Sequence, residues 1–170
     1  RIARFNPKVR YFPGTVLRVE LSDVCPCGVP HCTTPAHRWA RLTEGLPESV
    51  DAREWARLRD QGRIDFGRGF MGFEVIRAVV DDLRSKRMRF GTLSVRWRGE
   101  PLLHPEVEPI LRHLMNVIVE GDVADRLCIE TDGRFLDERI AQLAAHPAAQ
   151  VWRLDATRGG ADTAALGRQA

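Results

Sequence analysis

Three of the four cysteines lie within eight residues of one another, at Cys25, Cys27 and Cys32. The loop that carries them also contains two prolines and a glycine, which keep it tight. Thiols crowded into a tight loop are more typical of a metal site than of a disulfide framework. Because soft thiolates select zinc or an iron-sulfur cluster, the pattern favours one of these groups.

Three interpretations of the cysteine loop stay open at this point. Zinc would need His31 or His37 as a fourth ligand, and the loop contains none of the usual C-x2-C pairs. An iron-sulfur cluster on three thiolates would keep one iron open to an exogenous ligand, and such a site can do chemistry. The third interpretation is that the cysteines pack without a metal. We expect Cys128, which lies inside an apolar segment, to be a small buried hydrophobic residue.

Three polar turns could place further side chains beside this loop. An apolar segment ending at Val95 leads into Gly99-Glu100-Pro101-Leu102-Leu103-His104-Pro105, where a strand would pass into a helix. Thr131-Asp132-Gly133 and Leu154-Asp155-Ala156 follow two later apolar segments. Parallel sheets build ligand sites outside the carboxyl ends of their strands. We therefore expect the cysteine loop and these three turns along one edge of a sheet.

Hydrophobic periodicity predicts the elements that hold these turns. Short apolar or alternating segments predict strands over residues 15–23, 92–97, 127–131 and 151–155. Helical spacing predicts helices over residues 73–87, from about Pro105 to Gly121, and over residues 136–145. Residues 33–72 are expected to be an insertion of uncertain form, with a short amphipathic helix around 51–59. The order β-α-β-α-β-α-β predicts the α/β class, with parallel strands joined by right-handed crossovers.

Composition limits the partners that can be expected. The length of 170 residues fits one domain. The net charge is +3, and acidic residues are interspersed among the basic ones, so we expect a solvated mixed-charge surface and no nucleic-acid partner. No apolar run approaches the ~20 residues of a membrane span, and no membrane partner is expected. The chain begins with Arg1, which indicates a processed or excerpted piece, and a cytoplasmic location is the default expectation.

Taken together, the cysteine loop and the three turns resemble the radical S-adenosylmethionine (radical SAM) enzymes. That family has a partial (β/α) barrel whose first strand is followed by three cysteines spaced C-x3-C-x2-C. Residues 99–105 closely match the Gly-Glu-Pro-Leu-Leu-His-Pro part of its second-strand motif. Thr131-Asp132-Gly133 is similar to the Thr-Asn-Gly of the third strand end, and Leu154-Asp155-Ala156 to the Ser-Leu-Asp of the fourth. The resemblance covers about residues 16–155.

The resemblance implies a [4Fe-4S] cluster and S-adenosylmethionine as cofactors. The open iron would chelate S-adenosylmethionine, and an electron from the cluster would cleave it to methionine and a 5′-deoxyadenosyl radical that abstracts hydrogen from an unknown substrate. The implied partners are this substrate and an electron donor protein. The implied metal ligands are Cys25, Cys27 and Cys32. The implied cofactor-binding residues are Gly99, Glu100, Pro101, Thr131, Asp132 and Asp155. Residues 1–170 would form a single domain of about four βα units, the amino-terminal part of a larger barrel.

The chain departs from the family pattern where the chemistry would occur. Val29 stands at the middle cysteine position, while Cys27 is a thiol that the motif lacks. Arg98 replaces the first glycine of Gly-Gly-Glu-Pro, and Arg153 replaces the serine of the fourth strand end. Either Cys27 serves as the third ligand, or the chain is a non-catalytic binding or scaffold domain that could hold a structural zinc at the cysteine loop.

Two residues of the second turn also have purely structural interpretations. Glu100 could be an acid that interacts with a helix dipole. We expect His104, at a helix start, to be a capping or packing residue. The four tryptophans are expected to be packing residues.

Overall fold

The computed structural model describes residues 9–26, 36–46, 50–64, 69–96 and 98–154. Four parallel strands form one sheet in the order β1-β2-β3-β4. Their bounds are Arg10–Arg18 (β1), Met88–Ser94 (β2), Leu127–Thr131 (β3) and Gln150–Leu154 (β4). The helices are Ala36–Leu42 (α1), Ala52–Asp60 (α2), Phe73–Ser85 (α3), Val107–Glu120 (α4) and Glu138–Gln142 (α5). The predicted α/β class with a parallel sheet is confirmed.

Helices α3 and α4 pack on one face of the sheet. Helix α4 buries a continuous apolar stripe and ends where Gly121 adopts a left-handed conformation with φ of 74°. Ile76 of α3 and Leu114 of α4 line the same apolar crevice as Leu17 of β1 and Leu93 of β2. The two longest helices of the described ranges therefore cover the same side of β1 and β2. None of the helices in these ranges is long and apolar enough to cross a membrane.

The expected insertion over residues 33–72 contains two helices that join the core. Helix α2 lies at the predicted amphipathic segment and begins at Asp51, whose Oδ1 accepts a hydrogen bond from the Glu54 amide at 2.8 Å. Trp55 of α2 is 1% exposed and packs edge-on against Phe135, with ring centroids 5.3 Å apart. The ring centroids of Trp39 in α1 and of Trp55 lie 5.9 Å apart. These contacts confirm the packing role of both tryptophans.

Strand β1 lies earlier than the predicted residues 15–23. Pro13 and Gly14 do not form a turn before the strand but lie within it, where the register shifts between Phe12 and Val16. A bulge of this kind accommodates a proline, which cannot donate to the ladder. Proline and glycine, which are common in turns, here mark an irregular part of a strand.

The strand also ends earlier than predicted because another segment takes its hydrogen bonds. The Leu21 carbonyl accepts from the Met71 amide at 3.0 Å, and the Asp23 amide donates to the Gly69 carbonyl at 2.9 Å. An antiparallel bridge between residues 22 and 70 lies between these bonds. Residues 21–23 thus leave the sheet to pair with residues 69–71.

Other predicted bounds differ by smaller amounts. Strand β3 matches its prediction, and β4 differs from the predicted 151–155 by one residue. Strand β2 is Met88–Ser94 rather than 92–97, because the chain reaches the sheet immediately after α3. The predicted helix over 136–145 is divided into α5 and a 3-10 turn at Leu143–Ala145.

The bulge in β1 requires a glycine on the neighbouring strand, and a substitution there tests the fold. A Cβ at Gly91 would lie 1.8 Å from the Pro13 carbonyl oxygen, whereas a Cβ at Gly14 would have no atom within 4 Å. We expect Gly91→Ala to lower the free energy of unfolding by about 2 kcal/mol or more through backbone overpacking, as measured by urea denaturation. The control, Gly14→Ala, should cost much less. Equal effects of the two substitutions would contradict this close approach.

Candidate functional site

The Glu100 carboxyl lies just beyond the carboxyl end of β2 and is fully buried. Its Oε1 accepts hydrogen bonds from the Leu102 amide at 3.1 Å and from the Thr131 hydroxyl at 2.6 Å. Its Oε2 accepts from the Asp132 amide at 2.9 Å. The first bond caps the 3-10 turn Pro101–Leu103, and the other two join the end of β2 to the end of β3. Glu100 is therefore both a cap and a cross-link between strands.

Gly99 allows the backbone before Glu100 to approach the chain that follows β1. A Cβ at Gly99 would lie 1.7 Å from the Ser22 carbonyl oxygen, a distance that no side chain could tolerate. One residue later, the Glu100 amide donates to the Val24 carbonyl at 2.8 Å. The glycine of the motif is thus required by a backbone contact within the chain itself.

Arg98, which replaces a glycine of the family motif, is held at the end of β1. The amides of Arg98 and Gly99 both donate to Glu20 Oε1 at 3.0 Å. The Arg98 side chain is half-exposed, and its Nε lies 3.8 Å from Glu20 Oε2. The long cation therefore lies against Glu20.

Cys25 is held close to the Glu100 turn by its two chain neighbours. Val24 accepts the hydrogen bond from Glu100, and the Pro26 carbonyl accepts from Arg134 Nη1 at 3.3 Å. Cys25 itself is 4% exposed. The other predicted metal ligands, Cys27 and Cys32, lie outside the described residues.

The sequence also made predictions for Asp155, for a metal site and for Cys128. Asp155 lies outside the described residues, so its place at the sheet edge stays a prediction. Within the described ranges, which contain one cysteine of the loop, no group of three or more His, Cys, Asp or Glu side chains could hold a metal ion. Cys128 is 3% exposed inside β3, the buried position that was expected.

Buried polar atoms without partners lie close to Glu100. Asp132 is 2% exposed; its Oδ1 accepts from the Arg134 amide at 2.9 Å, while its buried Oδ2 has no hydrogen-bond partner in the described part of the chain. Arg96 is 4% exposed, and its Nη2 likewise has no partner there. Because buried polar atoms are nearly always paired, these two atoms are candidate contacts for a ligand with a cationic donor and an anionic acceptor.

The buried environment changes the acidity of Glu100. Burial is the largest effect and, with the nearby charge of Asp132, raises the pKa of Glu100 to about 7. The hydrogen bonds from Thr131 and the Asp132 amide oppose this rise, as does the positive charge of Arg96. Near neutral pH the carboxyl can therefore hold or release a proton.

Thr131 orients the turn that follows β3. Its hydroxyl donates to Glu100 and accepts from the Gly133 amide at 3.0 Å, which leaves the hydroxyl one fixed orientation. Gly133 adopts a φ of 80°, a conformation that favours glycine. The predicted residues Gly99, Glu100, Pro101, Thr131 and Asp132 are brought together by these bonds.

His104 has a structural role, as expected. The Met71 carbonyl can only accept, so His104 Nε2 donates to it at 2.8 Å, and Nδ1 accepts from the Glu106 amide at 2.9 Å. Both ring nitrogens are thus used in the neutral form. Burial lowers the pKa of His104, and its ring packs edge-on against Phe70. The capping and packing interpretation is confirmed.

Three residues of this edge were not predicted as site residues: Glu20, Arg96 and Arg134. Glu20 and Arg96 are charged residues in segments that the sequence assigned to strands, and no role was predicted for either. Both residues alternate with apolar residues along their segments, which places their side chains on the face of the sheet opposite α3 and α4. This alternation is the sequence signal that could have identified them. Arg134 follows the Thr131-Asp132-Gly133 turn and had no distinguishing pattern.

No family model matches the sequence, and no curated protein matches it. Among solved structures, the chain is similar to the crystal structure of BtrN in complex with AdoMet and 2-DOIA, with 18% sequence identity and a TM-score of 0.47. The match covers 86% of this chain and 46% of that chain. The chain therefore spans about half the length of the protein that it matches.

The raised pKa of Glu100 predicts a pH-dependent stability. In the unfolded chain the carboxyl ionises near its ordinary pKa of 4.5, whereas in the folded protein it keeps its proton up to about pH 7. Between these values the folded state binds more protons, so the free energy of unfolding should fall as the pH rises, by roughly 3 kcal/mol in all, and then level off.

Urea unfolding across this pH range measures the slope in wild-type protein and in Glu100→Gln. The variant should lose the slope because its amide does not titrate. Glu108→Gln, on the surface of α4, should keep it. An identical slope in wild type and Glu100→Gln would show that another group is responsible.

Proposed function

We propose that this chain is a radical SAM domain that binds S-adenosylmethionine at the carboxyl ends of β2 and β3 and a [4Fe-4S] cluster at the cysteine loop. One observation carries the proposal: the buried Glu100 carboxyl accepts hydrogen bonds from the end of β3, and the Glu100 amide donates to the Val24 carbonyl, next to Cys25. The motif residues whose types suggested this chemistry are thus joined by hydrogen bonds. The fourth strand end, with Asp155, is part of the same proposal.

The polar atoms around Glu100 fit the amino-acid end of S-adenosylmethionine. Its ammonium group needs acceptors, which the buried Oδ2 of Asp132 and the carboxyl of Glu100 offer. Its carboxylate needs a donor, and Arg96 Nη2 is a buried guanidinium nitrogen without a partner in the described ranges. Charge-assisted bonds at both ends would orient the methionine portion.

The cysteine loop offers the donor set for the cluster. Cys25, Cys27 and Cys32 would hold it, with Cys27 replacing the thiol that Val29 lacks. A bound cluster of this kind supplies the electron for reductive cleavage of S-adenosylmethionine and hence for hydrogen abstraction from a substrate. The protein side chains would contribute binding and orientation, and Cys25 itself is buried.

The order of the strands supports a partial barrel. Each strand pairs with the next strand in the sequence, the arrangement of a (β/α) barrel, whereas a doubly wound sheet reverses its order at a switch point. We include in the proposal that residues 1–170 belong to one domain of this type, the amino-terminal part of a larger barrel. An electron donor protein and a substrate remain proposed partners.

Reconstitution under anaerobic conditions tests the cluster. We expect wild-type protein to take up iron and sulfide in the ratio of a [4Fe-4S] cluster, and Cys25→Ala, Cys27→Ala and Cys32→Ala each to lose most of both. Cys128→Ala, a buried cysteine of β3, is the matched control and should keep wild-type content. Zinc without iron in the purified protein would instead support a non-catalytic, zinc-stabilised module. An unchanged cluster in Cys27→Ala would exclude Cys27 as the third ligand.

Binding of S-adenosylmethionine to the reconstituted protein tests the second half of the proposal. Asp132→Asn replaces an acceptor by a donor that repels the ammonium group, and we expect about a tenfold weaker affinity in equilibrium dialysis. Asp122→Asn is the matched control, because Asp122 is exposed in the turn before β3. An equal affinity of both variants would contradict the assigned role of Asp132.

A further inference from the structure

The sheet has a second face, opposite α3 and α4, that carries mainly polar and charged side chains. We call it the open face and define it by Thr92, Ser94, Cys128, Glu130 and Arg153. Ser94 pairs with Cys128 and Glu130 pairs with Arg153 in the register, so these side chains share one side of the sheet. Their chain neighbours in β2 and β3 belong to the hydrophobic core. In a (β/α) barrel this face would line the interior.

Four arginines lie on the open face. Arg18 pairs in register with Ser94. Arg96 lies two residues after Ser94, so its side chain lies on the same side of the sheet. Arg126 Nε donates to Thr92 Oγ1 at 2.9 Å, and Arg153 Nη1 lies 3.4 Å from Glu130 Oε1.

Cys128 Sγ marks the centre of this cluster. It lies 3.8 Å from Glu130 Oε1. Burial is the largest effect on the pKa of the Cys128 thiol and raises it, while the positive charges of Arg153 and Arg126 lower it. Arg126 lies two residues before Cys128, and Glu130, the register partner of Arg153, lies two residues after it, so the two arginines lie on either side of Cys128 along this face.

The four arginines on this face outnumber its carboxylates, which are those of Glu20 and Glu130. Across the described ranges, no ion pair joins Arg18, Arg96 or Arg126 to a carboxylate, and Arg96 is 4% exposed with Nη2 unpaired. Arginines on the helices differ: Arg77 pairs with Glu74 and Arg112 with Glu108. Burying or crowding like charges is costly, so an excess of arginines over carboxylates on a sheet face indicates a site for an anion.

We infer that the open face binds the anionic group, a phosphate or a carboxylate, of a small substrate. The inference rests on the proposed function, because it places this group beside the S-adenosylmethionine site. Arg126 and Arg153 are exposed and offer the forked donors that match such oxygens. Thr131 lies three positions after Cys128 in β3, about 10 Å along the strand. A small molecule held by the arginines would thus extend toward the Glu100 edge.

Isothermal titration calorimetry with inorganic pyrophosphate and with citrate tests the inference on the full chain. We expect wild-type protein to bind at least one of the two, and the preferred anion distinguishes phosphate from carboxylate recognition. Arg126→Gln/Arg153→Gln should weaken this binding by about tenfold or more, because two charge-assisted contacts are lost. Arg18→Gln should also weaken it, and the Arg18 side chain makes no ion pair in the described part of the chain. Arg112→Gln on α4 is the matched control and should bind as wild type does.

The outcomes separate this inference from the proposed function. No binding of either anion to wild type, or an equal loss in Arg112→Gln, would overturn the anion site. S-adenosylmethionine affinity should stay unchanged in Arg126→Gln/Arg153→Gln, which also shows that the variant is folded. If pyrophosphate or citrate binds as expected but S-adenosylmethionine does not bind, the anion site stands and the proposed function fails.

Discussion

Burial of the Glu100 carboxyl is the constraint on which the arrangement of this edge depends. A carboxyl group removed from water is stable only when hydrogen-bond donors surround it. Here the donors come from the 3-10 turn after β2 and from the end of β3, while the Glu100 amide reaches Val24 beyond β1. Three consecutive strand ends must therefore converge at one point. Gly99 is needed because this convergence brings the backbone against Ser22.

The helices hold the edge in place from outside. Packing of Trp55 against Phe135 fixes the chain that follows the β3 turn, and it explains why a segment that the sequence did not resolve belongs to the core. On the other side, His104 bonds to Met71 in the segment that pairs with residues 21–23. Polar contacts at the strand ends are thus supported by apolar packing and by the hydrogen bonds of the His104 ring.

Local patterns predicted the parts of the fold that depend on local chemistry. Strand β3 and helix α4 matched because their apolar periodicity and the stop at Gly121 suffice to define them. Strand β1 did not match its prediction, because residues 69–71 form backbone hydrogen bonds with the residues that follow Arg18 and so end the strand early. The sequence indicated the types of the site residues but not Arg96, whose importance arises from its burial near the Glu100 carboxyl.

The two proposed ligand positions differ in the sign of their charge. At the edge, Glu100 and Asp132 present acceptors that favour a cation, whereas Arg18, Arg126 and Arg153 on the open face favour an anion. Arg96 lies between the two regions, since its charge acts on Glu100 while its strand position belongs to the open face. A cationic cofactor and an anionic substrate would therefore each be repelled from the position of the other. Opposite charge at two adjacent positions gives specificity before any detailed contact is formed, because the wrong ligand would face like charge without compensation.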